Sequence, residues 1–505
     1  MGVSFILSDL LGMPEPALRM LVALLSAYPV AFLYHILVFR LQKPNPLLLH
    51  GLSVLTGPWM VHYLTGTFAL HFLFDIVLVY IVLRLWPGSR LSIALTWIIC
   101  GTHTLAGYTQ QCINGSVHNP LNWTIPQCVL LMKLVGLLTD IYDGAKKKQD
   151  DKQQPNALSQ LPTLPEFLGF SCFFGNVLIG PQLSFKRYIA FTSGSLYDTK
   201  KTQNCMIPGL VRCLTGIMFV SGYGLLGHFF PSKYLVSDEY ANLALVYQWM
   251  YLLVWGRVYL WMYTSVWILV EGACIITGIS YDGVDESGAP QWGAVSNIHV
   301  LKFESSYTLQ TVIDAFNITS SRWTYQYVYT RLKWLRSKPL SHFITLLFLA
   351  MWHGLWPGYF ITFTLEFILI VQERQLFSWL KSMTRRTLDD LPSILSVPIT
   401  VLAFLVKHII IYFPVACFCL LTWEYCWKFM VAVRFYLFFV IIGWAIFNVT
   451  IVPLTKKHRR RPQEVSQQQQ LPPPRLKNNN EEIVPHNNDL KNHGHVNNIV
   501  LLSEE

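Results

Sequence analysis

The sequence predicts an all-α polytopic membrane protein, and three observations support this fold class. Hydrophobic residues make up 53% of the 505 residues, whereas charged residues make up only 13%. Apolar stretches long enough to cross a lipid bilayer recur along most of the chain. Lysines and arginines concentrate in the connections between these stretches, as they do in multi-span proteins.

The apolar stretches predict roughly ten to twelve transmembrane helices. Several are short or interrupted by glycine and proline, so the exact number stays open. The stretches are Ala17–Val38, Leu47–Tyr63, Phe68–Leu85, Leu91–Ala106, Pro126–Ile141, Ile207–Phe230, Leu243–Ile279, Leu340–Val371, Val397–Leu421 and Phe429–Val452.

Two regions of different composition define the predicted domains. Residues 1–454 contain all the apolar stretches and are expected to form one multi-span membrane domain. Residues 455–505 begin with the basic run Lys456–Arg461 and continue with a tract rich in Gln, Pro and Asn. Because such a composition cannot bury an apolar core, we predict a disordered tail, and its basic start places it in the cytosol.

One loop in the first half of the chain is predicted to face the lumen. No lysine or arginine occurs between Arg90 and Lys133. The same interval carries two glycosylation sequons, at Asn114 and Asn122, although such tripeptides also occur by chance. Because basic residues mark the cytoplasmic side, the loop is assigned to the lumen. Counting back through the preceding spans predicts that the amino terminus is luminal as well.

The sequence lacks the catalytic motifs of soluble hydrolases, nucleotide-binding proteins and metalloproteases. Its ten cysteines are scattered without CxxC pairs, so we expect neither a metal site nor a disulfide framework. His71 and Asp75 match the His-x-x-x-Asp pattern of some soluble acyltransferases. On an apolar helix we interpret them instead as a structural i, i+4 contact.

His353 is the strongest candidate for a catalytic residue. It lies inside the apolar stretch Leu340–Val371, within a segment that also contains Gly354, Pro357 and Gly358. An imidazole beside helix-breaking residues at this depth indicates a hydrated cavity lined by protein. Trp352, Trp356 and Tyr359 offer aromatic walls with polar edges. The alternative is a kinked packing helix, whose glycines would form a close helix–helix contact.

A second polar segment precedes this one and makes the pattern specific. Asn317 lies 36 residues before His353, and the basic aromatic stretch Tyr325–Lys338 joins the two segments. This arrangement, followed by Trp-His-Gly-x-x-x-Gly-Tyr, resembles the membrane-bound O-acyltransferase family. It is most similar to the branch that reacylates lysophospholipids, and within it to the lysophosphatidylcholine acyltransferases. The stretches that also match that branch are Trp267–Gly272, Thr277–Gly283, Gln291–Trp292 and Cys172–Gln182.

The resemblance implies an MBOAT-type helix bundle around a buried chamber, with His353 and Asn317 as the catalytic pair. Neutral His353 would take the proton of the attacking hydroxyl. Asn317 would orient that hydroxyl or donate a hydrogen bond to the developing oxyanion. Asn317 also begins a sequon, but the neighbouring basic stretch places it on the cytosolic side, where glycosylation does not occur.

The resemblance also implies how substrates would bind. The phosphates of coenzyme A are expected at four basic residues after Asn317, although each of these also fits ordinary positive-inside anchoring. Trp352, Tyr359 and Trp323 are expected to contact substrate. The aromatic run from Trp249 to Trp267 would line an acyl groove, with most of its rings in ordinary packing. The four basic residues are Arg331, Lys333, Arg336 and Lys338.

The implied activity is transfer of a fatty acyl group from acyl-CoA to the free sn-2 hydroxyl of a lysophospholipid, with lysophosphatidylcholine as the expected acceptor, in phospholipid remodelling. Acyl-CoA would be a co-substrate, and no cofactor or metal is expected. Lysophosphatidylserine, lysophosphatidylethanolamine or another acceptor stays open, as does a non-catalytic transporter or scaffold. The partners would be acyl-CoA, lysophospholipid and membrane lipids rather than nucleic acid. The expected location is the endoplasmic reticulum membrane, and a homo-oligomer stays open.

Overall fold

The computed structural model describes residues 14–40, 44–115, 122–146, 155–196, 205–384 and 392–468. Within these ranges the chain is helical, and its only β-structure consists of two isolated bridges, Val284 with Pro290 and Ile298 with Phe316. The loop between the two predicted luminal sequons and the predicted amino-terminal segment lie largely outside the described residues.

The helices vary from single turns to segments of 33 residues. In chain order they are α1 Glu15–His35, α2 Pro46–Thr65, α3 Ala69–Leu85, α4 Arg90–Ile113, α5 Thr124–Gly144, α6 Leu164–Ser171, α7 Phe185–Thr192, α8 Met206–Phe229, α9 Asp238–Asn242, α10 Leu245–Thr277, α11 Val300–Ser305, α12 Leu309–Ala315, α13 Ile318–Tyr327, α14 Lys338–His353, α15 Pro357–Thr384, α16 Ser393–Leu420, α17 Trp423–Ala432 and α18 Tyr436–Gln468.

Eight helical segments of the described chain are long and apolar enough to cross a membrane, which confirms the polytopic all-α class. One of them, Pro46–Leu85, comprises α2 and α3, which the sequence predicts as separate spans. Helix α18 extends to Gln468, beyond the domain boundary predicted at residue 454. The rest of the predicted tail lies outside the described residues.

Helix α5 forms the centre of the amino-terminal half. Nearly all of its apolar window is buried, 94% against 17% for the segment that begins with α8. Helices α1, α2, α3 and α6 contribute to the same hydrophobic cluster. A second cluster joins α10, α15, α16 and α17. Since α10 contributes to both clusters, it links the two halves of the bundle.

The predicted stretch Leu340–Val371 is interrupted rather than continuous. Helix α14 ends at His353, and α15 begins at Pro357, where a proline is compatible with a first helical turn. Gly354 has φ 143°, a conformation that favours glycine. Its N–H is shared between the carbonyls of Ala350 and Met351, at 3.3 and 3.2 Å. The interruption therefore leaves His353 at a helix end inside the bundle.

Candidate active site

His353 lies in a ring of aromatic side chains. Its imidazole stacks on Phe363 at 5.4 Å between centroids and meets the edge of Phe418 at 5.0 Å. Trp352 and Tyr359 lie 4.8 and 5.6 Å away. The imidazole is densely surrounded but keeps some accessible surface, and it forms no hydrogen bond with the described residues. Both ring nitrogens are therefore available to a substrate.

Trp352 is held by two other helices. The Tyr108 hydroxyl of α4 donates to the Trp352 carbonyl at 2.6 Å. The Trp352 indole N–H donates to the Cys128 carbonyl of α5 at 3.0 Å. The residue before the candidate base is thus fixed on both its backbone and its side chain. Trp352 was predicted to contact substrate, and the structure uses its N–H for this internal contact.

Asn317 lies at the start of α13 in a left-handed conformation, φ 52° and ψ 43°, which asparagine tolerates better than most residues. Asn297 stabilises this turn. Its carbonyl accepts the N–H of Ile318 at 3.0 Å, and its side-chain oxygen accepts the N–H of Thr319 at 2.9 Å. Its amide nitrogen lies 3.5 Å from the Asn317 oxygen. Sequence reasoning missed Asn297, which is only 2% exposed.

Helices α13 and α14 form a hairpin with a 3₁₀ turn, Tyr329–Leu335, between them. Near the turn, the Ser341 hydroxyl donates to the Leu332 carbonyl at 3.2 Å. Further along, Trp323 stacks on Phe348 at 6.1 Å.

Near the turn Leu332 meets Ser341, and further from it Trp323 meets Phe348, which is the order of contacts in an antiparallel pair. Asn317 lies six residues before Trp323, and His353 lies five residues after Phe348. These separations correspond to roughly 9 and 7.5 Å along a helix axis. The hairpin therefore carries both predicted catalytic residues toward the same open end.

A series of aromatic rings connects the surroundings of the two residues. Phe316, next to Asn317, packs against Trp267 of α10 at 4.7 Å. Trp267 contacts Tyr263 at 6.1 Å, and Tyr263 contacts Phe418 at 6.3 Å. Phe418 in turn meets His353. The carboxyl-terminal part of the predicted aromatic run thus lines the space between the candidate catalytic residues.

The earlier rings of that run serve packing. Trp255 is 1% exposed and stacks on Tyr259 at 5.2 Å. Trp261 packs edge-on against Phe219 of α8 at 5.7 Å, and Trp249 packs in the same way against Tyr436. This division agrees with the expectation that most of these rings belong to the core.

A cavity of about 320 Å³ lies beside α13. Its wall includes Thr319 and Trp323 of that helix, and Trp323 is one of the residues predicted to contact substrate. The indole N–H of Trp323 is buried without a hydrogen-bond partner among the described residues. The cavity wall also carries four basic side chains, Lys133, Lys186, Arg187 and Arg322.

These basic side chains differ in how far the protein already uses them. Lys133 is buried and donates to the Asn176 side chain at 2.8 Å and to the Ser171 carbonyl at 2.9 Å. Arg187 donates to the carbonyl of Ile279 at 2.9 Å, and burial lowers the pKa of its guanidinium. Arg322 forms no hydrogen bond with the described part of the chain, so its charge is free to meet an anion.

The four basic residues predicted to contact coenzyme A lie elsewhere. None of them lines the cavity. Arg331 forms a two-pronged ion pair with Asp143 of α5. Burial disfavours its charge, but the hydrogen bond to Asp143 and the nearby negative charges together raise the pKa of Arg331. Lys333, Arg336 and Lys338 are exposed.

The basic residues of the cavity wall were missed because they come from separate parts of the sequence. Lys133 lies on α5, Lys186 and Arg187 on α7, and Arg322 on α13. Gln182, in a stretch that the sequence analysis singled out, also lines the cavity, and its N–H donates to the Thr319 hydroxyl at 2.9 Å. That contact links this stretch to the turn that contains Asn317.

The predicted direct contact between His71 and Asp75 was wrong. His103 of α4 lies between them and bonds to His71 at 2.8 Å and to Asp75 at 2.8 Å. The other carboxylate oxygen of Asp75 accepts a hydrogen bond from Gln127 of α5. An imidazole from a neighbouring helix thus replaces the direct i, i+4 contact, and the four residues connect three helices through polar contacts.

Two charged residues of α10 pair with residues of other segments. Glu271 pairs with Arg212 of α8 at 2.9 Å. Arg257 pairs with Glu304 at 2.6 Å and also contacts His408 of α16 at 2.6 Å. These contacts connect α10 to its neighbours on both sides.

Comparison with known proteins agrees with this architecture. Residues 63–415 match the family described as MBOAT, membrane-bound O-acyltransferase family. The chain is 36% identical over 423 residues to a Bos taurus protein named lysophospholipid acyltransferase 5, a match that covers 83% of this chain and 86% of the bovine protein. The Homo sapiens protein of the same name is 34% identical, with 83% and 85% covered.

A more distant relative is a Schizosaccharomyces pombe protein named lysophospholipid acyltransferase. It is 29% identical to this chain over 376 residues, which cover 70% of this chain and 71% of the yeast protein. The matched region includes the turn at Asn317 and the helix end at His353. The chain therefore belongs to the membrane-bound O-acyltransferase family, and it is an O-acyltransferase of the lysophospholipid acyltransferase type.

Proposed function

We propose that this enzyme transfers a fatty acyl group from acyl-CoA to the free sn-2 hydroxyl of a lysophospholipid, with lysophosphatidylcholine as the principal acceptor. The observation that carries this proposal is the position of His353 at a helix end inside the bundle, with an imidazole that forms no hydrogen bond to the described residues. Such a group is suited to accept a proton from a substrate hydroxyl.

The proposed reaction is a direct transfer without an acyl-enzyme. His353 accepts the proton as the sn-2 oxygen attacks the thioester carbonyl, and the carbon–sulfur bond breaks as the new ester forms. The imidazolium then returns the proton to the departing thiolate, so the reaction is balanced without another reactant. Asn317 orients the hydroxyl or donates a hydrogen bond to the oxyanion. The left-handed turn stabilised by Asn297 sets the direction of the Asn317 side chain.

The cavity beside α13 supports acyl-CoA as the donor. Its basic side chains offer charge to phosphate groups. Arg322 lies on the same helix that begins after Asn317, so a phosphate bound there would be anchored to the element that positions the catalytic pair. We assign the phosphate contacts to this cavity in preference to Arg331, whose charge is already paired with Asp143.

The acceptor and the location complete the proposal. Lysophosphatidylethanolamine and lysophosphatidylserine are secondary candidates, because the same transfer chemistry applies to any lysophospholipid with a free sn-2 hydroxyl. We place the enzyme in the endoplasmic reticulum membrane, with its amino terminus in the lumen and its carboxyl-terminal tail in the cytosol.

The test uses the full chain reconstituted in vesicles. Labelled acyl-CoA is supplied with 1-acyl lysophosphatidylcholine, and the phospholipid product is digested with an sn-2-specific phospholipase. We expect label in the product and its release by the phospholipase. A product labelled at another position, or transfer only from a donor other than acyl-CoA, would refute the proposal. Parallel reactions with the ethanolamine and serine lysolipids rank the acceptors.

A further inference from the structure

Glu366 of α15 lies on the helix face that meets His353. Tyr359 and Phe363 both contact the His353 ring, and positions 359, 363 and 366 follow the i, i+4, i+7 spacing of one helix face. Glu366 is three residues beyond Phe363, which corresponds to roughly 4.5 Å along the helix axis. The Glu366 side chain therefore projects from the face of α15 that contacts His353, about one turn further along the helix.

The neighbouring positions of α15 are occupied by helix packing. On one flank, the Thr362 hydroxyl donates to the Pro414 carbonyl of α16 at 2.8 Å. On the other, Phe367 packs against Phe343 of α14 at 5.5 Å. Glu366 lies between these two contacts, so it faces the interval between α14 and α16, where His353 and Phe418 meet.

The carboxylate of Glu366 has no partner among the described residues. The Glu366 carboxylate is densely surrounded by protein but keeps some accessible surface. The same is true of the His353 imidazole. Other acidic groups of the bundle interior are matched. Glu271 pairs with Arg212, and Glu373 accepts the N–H groups of Leu309 and Gln310 at 2.6 and 2.9 Å.

An unmatched carboxylate in a membrane bundle is unfavourable unless it serves a substrate or a partner. Aromatic faces next to a carboxylate form the type of site that binds an alkylated ammonium group. The Phe363 and Tyr359 rings lie on the helix face that carries Glu366, and Phe363 stacks on the His353 imidazole. In a lysophospholipid the phosphate separates the ammonium group from the sn-2 hydroxyl. With the hydroxyl at His353, the ammonium group would lie about one helical turn further along α15, beside Glu366.

We propose that Glu366 binds the cationic headgroup nitrogen of the lysophospholipid and so sets the preference for choline and ethanolamine lipids over lipids without a cationic headgroup. This inference rests on the proposed function and assigns a specificity residue to the same site. It involves no covalent step, since Glu366 acts by charge on the bound acceptor.

The experiment compares two enzymes with two acceptors. The acceptors are lysophosphatidylcholine and its neutral isostere, in which a carbon atom replaces the choline nitrogen. The enzymes are the wild type and Glu366→Gln, which keeps the side-chain shape and removes its charge. We expect the wild type to prefer the charged acceptor by about tenfold or more in kcat/KM, and we expect Glu366→Gln to lose that preference.

The KM for acyl-CoA provides an internal reference, because loss of a headgroup contact should leave it unchanged. Glu424→Gln is the matched control. Glu424 is 70% exposed and pairs only with exposed Lys428, at 2.9 Å, among the described residues, so this variant should retain the wild-type preference. Should Glu366→Gln not fold, Glu366→Asp keeps the charge and shortens its reach, and a reduced preference is expected.

An equal loss of activity on both acceptors in Glu366→Gln would overturn the inference, and so would an unchanged preference for the charged acceptor. Either result would leave the proposed function intact, since the wild type would still acylate lysophosphatidylcholine. Absence of transfer by the wild type to any lysophospholipid would instead refute the proposed function itself.

Discussion

The hydroxyl of Tyr108 donates a hydrogen bond of 2.6 Å to the backbone carbonyl of Trp352, the residue before the candidate base. This bond joins α4 to the last turn of α14, where helix carbonyls lack intrahelical partners. It therefore fixes the point from which the His353 side chain projects.

Tyr108→Phe should lower kcat by about threefold to tenfold, because one hydrogen bond contributes about 1 kcal/mol and its loss frees the end of α14. The KM for both substrates should change little. Steady-state kinetics of the purified variant test this expectation. Tyr142→Phe is the matched control, since the Tyr142 hydroxyl contacts exposed Arg90. Wild-type kcat in Tyr108→Phe would show that this bond does not position the base.

Gly354→Ala should impair both stability and activity. The backbone at Gly354 has φ 143°, which an L-residue adopts at a cost of about 1–3 kcal/mol. An added Cβ would also lie 3.0 Å from the Tyr359 ring. Thermal unfolding and turnover are measured beside Gly51→Ala, a helical position with no atom within 4 Å of an added Cβ. Equal behaviour of the two variants would contradict a structural need for glycine at 354.

Asn297→Ala should reduce activity by disordering the turn at Asn317. The substitution removes the acceptor of the Thr319 N–H and hydroxyl, at 2.9 and 2.7 Å, and leaves buried donors unpaired, at a cost of about 1–3 kcal/mol. We expect a lower kcat together with a lower unfolding temperature. Asn297→Asp keeps the acceptor oxygen and should retain more activity. If both variants lost activity equally, the acceptor would not be the function of Asn297.

Arg322→Gln should raise the KM for acyl-CoA by about fivefold or more and leave the KM for the lysolipid unchanged, because a guanidinium–phosphate contact is worth about 1–3 kcal/mol. Lys333→Gln is the comparison, since Lys333 is exposed and lies outside the cavity wall. Initial rates over a range of acyl-CoA concentrations give the KM of each variant and test this expectation. A larger increase in the KM for acyl-CoA in Lys333→Gln than in Arg322→Gln would instead indicate that the phosphates bind the basic stretch predicted from the sequence.

The sequence predicted the fold class and the local features of the site more completely than its long-range contacts. Glycine and proline around His353 indicate an interrupted helix, because both residues act on the backbone at their own positions. The structure places that interruption at Gly354. The membrane class follows in the same way from composition and the length of apolar stretches.

Contacts between distant segments could not be derived in this way. The side chain that holds the Asn317 turn comes from Asn297, and the cavity wall combines residues from Met132 to Tyr327. Nothing local distinguishes Arg322 from Arg331, yet one faces the cavity and the other is paired with Asp143. The same applies to His103, whose insertion between His71 and Asp75 depends on how α4 packs against α3.

The most direct test of the central claim is the rate of acyl transfer by His353→Ala in vesicles, measured with saturating acyl-CoA and lysophosphatidylcholine. Because His353 is proposed to accept the proton of the attacking hydroxyl, we predict a loss on the order of 10²-fold to 10⁴-fold, with the variant still folded and extracted like the wild type. Turnover within a few-fold of the wild type would contradict the assignment of His353 as the catalytic base.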